Sequence, residues 1–137
     1  MNADQLLERI ATTLKRDIGP AVEGEYPRTQ AFMAAVVLQK LGRQLGLEAM
    51  HRAADEADLM ALLDDLRAEA ERAALPPGVA AALARLAGEH GDDALCALIA
   101  ALYEHRAALG DARFEALLGR VRKNLRASID RRMVYAA

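Results

Sequence analysis

The stretch that decides the fold is residues 29–45, TQAFMAAVVLQKLGRQL. Every residue from Ala31 to Leu38 is apolar, and the polar side chains come only afterwards. An apolar run of this length that is rich in alanine favours a helix over a strand. A helix that is apolar on all sides is normally enclosed by its neighbours, and this run is shorter than the roughly 20 apolar residues of a membrane span. The sequence therefore predicts a buried central helix over residues 29–45.

The composition predicts one soluble domain over residues 1–137. With 31 alanines, two phenylalanines and no tryptophan, the core must depend on Leu, Ile, Val and Met. A net charge of −2 gives no global field for nucleic acid or anionic lipid. The single cysteine excludes an internal disulfide, and the polar N-terminal segment lacks a signal-peptide core. We therefore expect a cytoplasmic protein with no membrane contact and no nucleic-acid partner.

Helical spacing in the first half predicts a helix over residues 3–17, with Asn2 as its N-cap. Gly19-Pro20 is expected to end that helix and to open a connector over residues 19–28. Gly46 is expected to end the central helix. Residues 47–72 could form one helix or two, and a break near Asp55–Asp58 is the favoured interpretation.

The second half contains clearer boundaries. Leu75-Pro76-Pro77-Gly78 predicts a break, followed by helices over about 77–89, 92–109 and 112–129. Gly110-Asp111 is expected to separate the last two. The final helix has the most regular apolar stripe of the chain: Phe114, Leu117, Leu118, Val121, Leu125 and Ile129. Together the segments predict an all-α, single-domain bundle of five to six helices.

The charges are segregated along this nearly neutral chain. Residues 48–72 carry eight acidic side chains against three arginines, a balance of −5. Residues 113–132 carry seven basic side chains against two acidic ones, a balance of +5. The two segments either pair within the monomer or present complementary surfaces that steer a partner or a second copy.

The residue types that carry chemistry are sparse. Glu48-x-x-His51 has the spacing used in di-iron bundles, but such sites need two of these motifs and two further carboxylates. Cys96 lies in an apolar segment, where a thiol is expected to be a small buried hydrophobe. No glycine-rich phosphate loop is present in the sequence. The sequence thus predicts no catalytic residue, no cofactor and no metal site, and an enzyme that uses Glu48 and His51 is the last-ranked reading.

Two stretches resemble a known group of proteins. They are residues 18–45, IGPAVEGEYPRTQAFMAAVVLQKLGRQL, and residues 94–135, which pass through Gly110-Asp111 into LLGRVRKNLRASIDRRMVY. Both resemble the small all-helical proteins encoded beside aminoglycoside-phosphotransferase-like kinases and acyl-CoA dehydrogenases in bacteria. Some of those gene sets handle hydroxyacyl-CoA substrates, as in levulinate-type catabolism.

The resemblance implies a non-catalytic accessory subunit that binds and supports such a kinase. The phosphoryl-transfer groups would then belong to the kinase. The expected partner-binding residues lie on the basic final helix and tail: Arg120, Arg122, Lys123, Arg126, Arg131, Arg132 and Tyr135. The alternative is a stand-alone homodimeric helical bundle that binds an apolar ligand.

Overall fold

The computed structural model describes residues 1–134, and all regular structure in that range is helical. The helices are α1 (Ala3–Thr13), a π-helical turn (Leu14–Ile18), α2 (Gly19–Ala21), α3 (Glu25–Arg72), α4 (Pro77–Gly88), α5 (Asp92–Glu104), α6 (Arg106–Leu109) and α7 (Asp111–Met133). Because α1, the π turn and α2 are continuous, these segments make six helical rods in the described range. The predicted all-α class with five to six helices is confirmed. No helix within residues 1–134 is long and apolar enough to cross a membrane.

The chain divides into two compact units. Unit 1 contains Met1–Arg52 together with the end of the chain from Arg131, and unit 2 contains Ala53–Asp130. The boundary at Arg52 lies inside α3, so the two halves of this 48-residue helix belong to different units. The single domain expected from the chain length stays a prediction.

Unit 1 is built on a hairpin of α1 and the first half of α3. Asn2 begins α1 as predicted, and its backbone N–H donates to Gln5 Oε1 at 3.2 Å. The two helices are antiparallel, since Gly19 lies beside Ala31 while Gly42 lies beside Asp4. The link between them is three residues long, 22–24, and Gly24 adopts a φ of 95° there.

The prediction that Gly19-Pro20 ends the first helix is wrong. Within the π turn the Gly19 N–H donates to the Leu14 carbonyl, five residues back instead of four. This wider turn changes the hydrogen-bond register immediately before Pro20, the residue that has no N–H to donate. The helical backbone can then continue to Ala21. The predicted connector over residues 19–28 therefore shrinks to the three-residue link.

The prediction that Gly46 ends the central helix is also wrong. A Cβ at Gly42 would lie 3.2 Å from the Asp4 carbonyl oxygen and 3.5 Å from Leu7 Cβ, and a Cβ at Gly46 would lie 3.4 Å from Asp4 Oδ2. Both glycines therefore serve the close approach of α1 to α3. Each costs the helix about 1 kcal/mol relative to alanine, which a long helix can tolerate.

The favoured break near Asp55–Asp58 is absent, because α3 runs without interruption from Glu25 to Arg72. An aspartate is expected to cap a second helix here, but the three acidic side chains at 55, 56 and 58 are exposed or half-buried along the continuous helix. Glu56, for example, pairs with His90 of the following segment at 2.7 Å. The acidic side chains are thus used on the helix surface.

Unit 2 has a hydrophobic core that draws on the second half of α3 and on α4, α5, α6 and α7. Its buried members are Leu62, Leu63, Leu66, Val79, Leu83, Leu86, Ala94, Leu95, Leu98, Ala101, Leu102, Leu109, Phe114, Leu117, Leu118 and Val121. The aromatic ring of Phe114 is buried in this core, edge-on to Tyr103 at 5.1 Å and 4.6 Å from the Arg106 guanidinium. The predicted apolar stripe of α7 is confirmed from Phe114 to Val121, where its side chains are buried, whereas Ile129 is 53 % exposed.

Two helix boundaries in unit 2 lie where the sequence predicts them. Residues 73–76 separate α3 from α4, and Gly110, with a φ of 82°, separates α6 from α7. The helix expected over residues 92–109 is divided at His105 into α5 and α6. The ring of His105 occupies the space beside Gly78 that a larger residue would need. Cys96, expected to be buried, is exposed.

Arg113 ties α7 to the end of α3. Its guanidinium donates to the carbonyls of Ala74 at 3.1 Å and Glu69 at 3.4 Å, and it makes a further short hydrogen bond to the Ala73 carbonyl. The last carbonyls of a helix have no partner within the helix, and a cation is favoured near them. Arg113, which belongs to the basic segment, therefore caps the end of the helix that contains the acidic segment.

Candidate protein-interaction site

The predicted burial of residues 29–45 is wrong. Five of the large apolar side chains in this stretch are exposed: Phe32, Met33, Val37, Leu41 and Leu45. Residues 1–52 expose eleven large hydrophobic side chains, whereas the longer span 53–130 exposes three. Unit 1 is thus the half of the chain in which apolar surface remains open to water.

The contact between α1 and α3 explains why so much stays exposed. The only buried apolar side chains in residues 1–52 are those of Ala11 and Ala35, and the glycines at 19 and 42 are buried beside them. Small residues let two helices approach closely, but each buries little area. The larger side chains are therefore displaced to the two edges of the hairpin.

One edge of the hairpin is polar. Lys15 Nζ donates to Gln39 Oε1 at 2.6 Å, and Gln39 Nε2 donates to Glu8 Oε1 at 3.1 Å. Lys15 also lies 5.2 Å from the centre of the Phe32 ring, a cation–π distance. These contacts fix which sides of α1 and α3 meet at this edge.

The other edge is apolar. At 3.6 residues per turn, Leu6 and Ile10 lie on the side of α1 opposite Glu8 and Lys15. By the same spacing, three α3 side chains, Val37, Leu41 and Leu45, lie on the side opposite Gln39. We call these five side chains the apolar flank: Leu6, Ile10, Val37, Leu41 and Leu45. Each is between 42 % and 53 % exposed.

The size of this surface distinguishes it from ordinary scattered exposure. Single exposed hydrophobic residues are normal, whereas the largest contiguous apolar patch of a typical soluble protein measures about 300–600 Å² and is often functional. The apolar flank alone is on the order of 400 Å², and half-buried Leu7 and Leu38 adjoin it. A surface of this kind can bind another apolar surface.

The basic residues predicted to bind a partner are divided in their roles. Arg120 Nη2 lies 3.3 Å from Glu69 Oε1, and Arg122 Nη2 donates to Tyr103 Oη at 2.9 Å, so both are engaged within unit 2. Lys123 and Arg126 are exposed and, within residues 1–134, make no hydrogen bond or ion pair.

The remaining predicted residues lie in the tail. Arg131 is half-buried and Arg132 is exposed, and both have interactions of their own in the structure. Tyr135 lies outside the described residues. The structure therefore keeps two cations of the predicted set, Lys123 and Arg126, open on the surface of α7.

The oppositely charged segments meet inside unit 2. A shallow groove of about 470 Å³ is lined by Asp58 and Asp65 of α3 and by Arg120 and Lys123 of α7. With the Arg113 cap and the Arg120–Glu69 ion pair, this arrangement supports the interpretation that the two segments pair within the monomer. Exposed pairs of this kind stabilise a protein by about 0–1 kcal/mol each, so they orient α7 more than they hold it.

The candidate chemical residues have ordinary partners. Glu48 Oε1 accepts from Arg52 Nη2 at 2.7 Å, and His90 Nδ1 lies 2.7 Å from Glu56 Oε1. Within the described range no three His, Cys, Asp or Glu side chains are placed to hold a metal ion. A small open recess of about 370 Å³ beside the π turn is lined by Leu14, Lys15, Gly19, Pro20, Arg28, Thr29 and Phe32.

Sequence reasoning identified the apolar residues of α3 but assigned them to a core. The signal that could have found the interaction site is the spacing of Ala31, Ala35, Gly42 and Gly46, which places small residues along one face of the helix. That face packs against α1 and leaves the neighbouring large residues exposed.

Comparison with models of known protein families, with curated proteins and with solved structures finds no match.

Proposed function

We propose that this chain is a non-catalytic accessory subunit that acts by binding other proteins in the cytoplasm. The observation that carries protein binding, whether to a second copy or to a partner, is the apolar flank, five large side chains about half exposed along one edge of the N-terminal hairpin. Protein association is the process that removes such a surface from water, at about 25 cal/mol per Å² of apolar area.

The partner we propose is an aminoglycoside-phosphotransferase-like kinase that acts on a hydroxyacyl-CoA. This part of the proposal rests on the resemblance of residues 18–45 and 94–135 to proteins encoded beside such kinases. The kinase would supply the catalytic aspartate, the metal ligands and the phosphate-covering loop. The accessory chain would supply a folded surface that supports the kinase.

The exposed cations of α7 are the proposed contacts with the kinase. Lys123 and Arg126 are one turn apart on the surface, and no contact within residues 1–134 occupies them. Charges at the rim of an interface mainly raise the association rate, and their effect falls with salt. Arg120 and Arg122 are expected to contribute less because they are engaged with Glu69 and Tyr103.

The test is to co-express the chain with the kinase encoded beside it and to measure complex formation and kinase activity. Reversing Lys123 and Arg126 to Glu should leave the melting temperature nearly unchanged and slow association, most strongly at low salt. The matched control is Arg67→Glu, another exposed cation of unit 2 whose ion pair with Asp64 is loose at 3.9 Å. A kinase that is soluble and fully active alone, with no complex at micromolar concentration, would refute the accessory role.

A second candidate, the binding of an apolar ligand, is favoured by the recess beside the π turn. Its volume of about 370 Å³ is within the usual range of roughly 300–1,000 Å³ for small-molecule sites, and Leu14, Pro20 and Phe32 give it apolar walls. Titration with a fluorescent fatty acid tests this candidate. Saturable binding that Phe32→Ala abolishes would support it, and binding that this change leaves intact would reject the recess.

A further inference from the structure

We infer that the apolar flank binds the flank of a second copy of this chain, so that two N-terminal hairpins complete a four-helix bundle. This inference rests on the proposed function, in that it assumes that the chain acts by binding proteins. In this arrangement the apolar flank binds a second copy of the chain, and the exposed cations of α7 remain available to bind the kinase.

The first argument is that residues 1–52 supply no second layer for the hairpin. A helix must bury its apolar stripe against another element, and stable domains do this with at least two packed layers. The hairpin of α1 and α3 is a single layer whose own contact buries Ala11 and Ala35. Two alanines contribute little of the hydrophobic free energy that a helix pair needs, so covering the flank would stabilise the hairpin.

The second argument is geometric. The missing layer has to present two antiparallel helices with an apolar face of the same width as the flank. A second hairpin has those dimensions because it has the same sequence. Twofold symmetry makes such a contact self-complementary, since the same patch is used on both subunits. The product has the arrangement of a four-helix bundle, in which two helical hairpins stack.

The third argument is the area available. Five side chains that are each about half exposed provide on the order of 400 Å² of apolar surface per copy, or about 800 Å² per dimer. Apolar atoms make up roughly 60 % of an interface, which gives a total buried area of about 1,300 Å². This value falls within the range of about 1,200–2,000 Å² that specific, stable interfaces bury.

The fourth argument is the charge of the segment. Residues 1–52 carry seven Lys and Arg side chains against six Asp and Glu side chains, a balance of +1. Like charges placed opposite each other cost several kcal/mol at an interface. A nearly neutral segment avoids that penalty against its own copy, whereas a strongly charged one would favour a partner of opposite sign.

The experiment is to measure the molar mass of the full chain by light scattering coupled to size-exclusion chromatography, and the dimer dissociation constant by analytical ultracentrifugation between about 1 and 100 µM. The wild type should be a dimer. Leu41→Glu places a carboxylate in the flank and should weaken the dimer by on the order of 100-fold. The matched control is Met50→Glu, which introduces the same charge on the opposite side of α3 at a residue that is 60 % exposed.

A second, milder variant guards against loss of the fold. Leu45→Gln keeps the helix propensity and adds no charge, so it should weaken the dimer while circular dichroism shows unchanged helix content. A monomeric wild type at 100 µM would overturn the inference, as would a dimer that resists both Leu41→Glu and Leu45→Gln.

The outcomes also separate this inference from the proposed function. A monomer whose complex with the kinase is lost in Leu41→Glu would show that the flank binds the kinase, which keeps the accessory role and rejects the dimer. A dimer that forms through the flank without binding a kinase would keep the inference and reject that role. A monomer that binds no kinase would reject both.

Discussion

The two units use leucine and alanine in opposite ways. In unit 2 the large side chains form a buried core that includes Phe114, and the only large apolar residues left exposed are Met60, Tyr103 and Ile129. In residues 1–52 the small side chains of Ala11 and Ala35 are buried instead, and eleven large ones are exposed. Unit 2 therefore has a hydrophobic core of its own, whereas residues 1–52 leave eleven large apolar side chains open to water.

The largest expected effect tests whether unit 2 depends on its hydrophobic core. Phe114→Ala should reduce the free energy of unfolding by about 3–5 kcal/mol, because it leaves a cavity where the ring contacts Tyr103 and Arg106. Chemical denaturation followed by circular dichroism measures this loss. The control is Ile129→Ala on the same helix, which is 53 % exposed and should cost less than about 1 kcal/mol. Equal losses for the two variants would show that unit 2 has no core centred on Phe114.

The next effect concerns the hydrogen bonds by which Arg113 of α7 caps the end of α3 in unit 2. Arg113→Ala should destabilise the protein by about 1.5–3 kcal/mol, because it removes a charged donor from three carbonyls at the end of α3. Arg126→Ala, which removes an exposed arginine from the same helix, should stay within about 0.5 kcal/mol of the parent. If both variants melt like the parent, the carbonyls at residues 69–74 do not depend on Arg113.

A smaller effect is expected at the contact between the helices of unit 1. Gly42→Leu should push α1 away from α3 and cost about 1–3 kcal/mol, since even a Cβ there would lie 3.2 Å from the Asp4 carbonyl. The loss should appear as faster hydrogen exchange in α1, with exchange in α4 and α5 unchanged. Protection of α1 that survives Gly42→Leu would contradict the close approach of the two helices.

The smallest effect is a gain, and it comes from the matched glycine of unit 2. Gly119 is exposed within α7, and a Cβ added there would meet no atom within 4 Å. Gly119→Ala should therefore stabilise the protein by up to about 1 kcal/mol through helix propensity. A lower melting temperature for Gly119→Ala would mean that this part of α7 contacts something that the chain itself does not supply.

The sequence predicts well those parts of the fold in which apolar side chains are covered by other residues of the same chain. Phe114, Leu117 and Val121 recur at helical spacing, and facing helices of the same unit enclose them. Gly110 ends α6, and the prolines at 76 and 77 begin α4, for reasons that are local to the backbone. Such features are readable because both the cause and the effect lie in the same stretch of sequence.

The parts that the sequence does not predict depend on what lies opposite a residue. The run Ala31–Leu38 is apolar enough for a core, but hydrophobicity does not say whether the covering surface belongs to the same chain. Gly46 resembles a helix stop, yet it serves the approach of α1. The candidate interaction site was missed for the same reason, since an apolar run in the sequence does not distinguish a core helix from a helix that leaves its apolar side chains exposed.

The most direct test of the account is hydrogen exchange of the full chain at two protein concentrations, about 1 µM and 100 µM. An oligomeric contact stabilises the segments it covers by mass action, so their protection must rise with concentration. We expect exchange to slow at the higher concentration in α1 and in the first half of α3, and to stay constant in α4, α5 and the first turns of α7. Equal protection of α1 at both concentrations, in a chain that is monomeric throughout, would contradict the account.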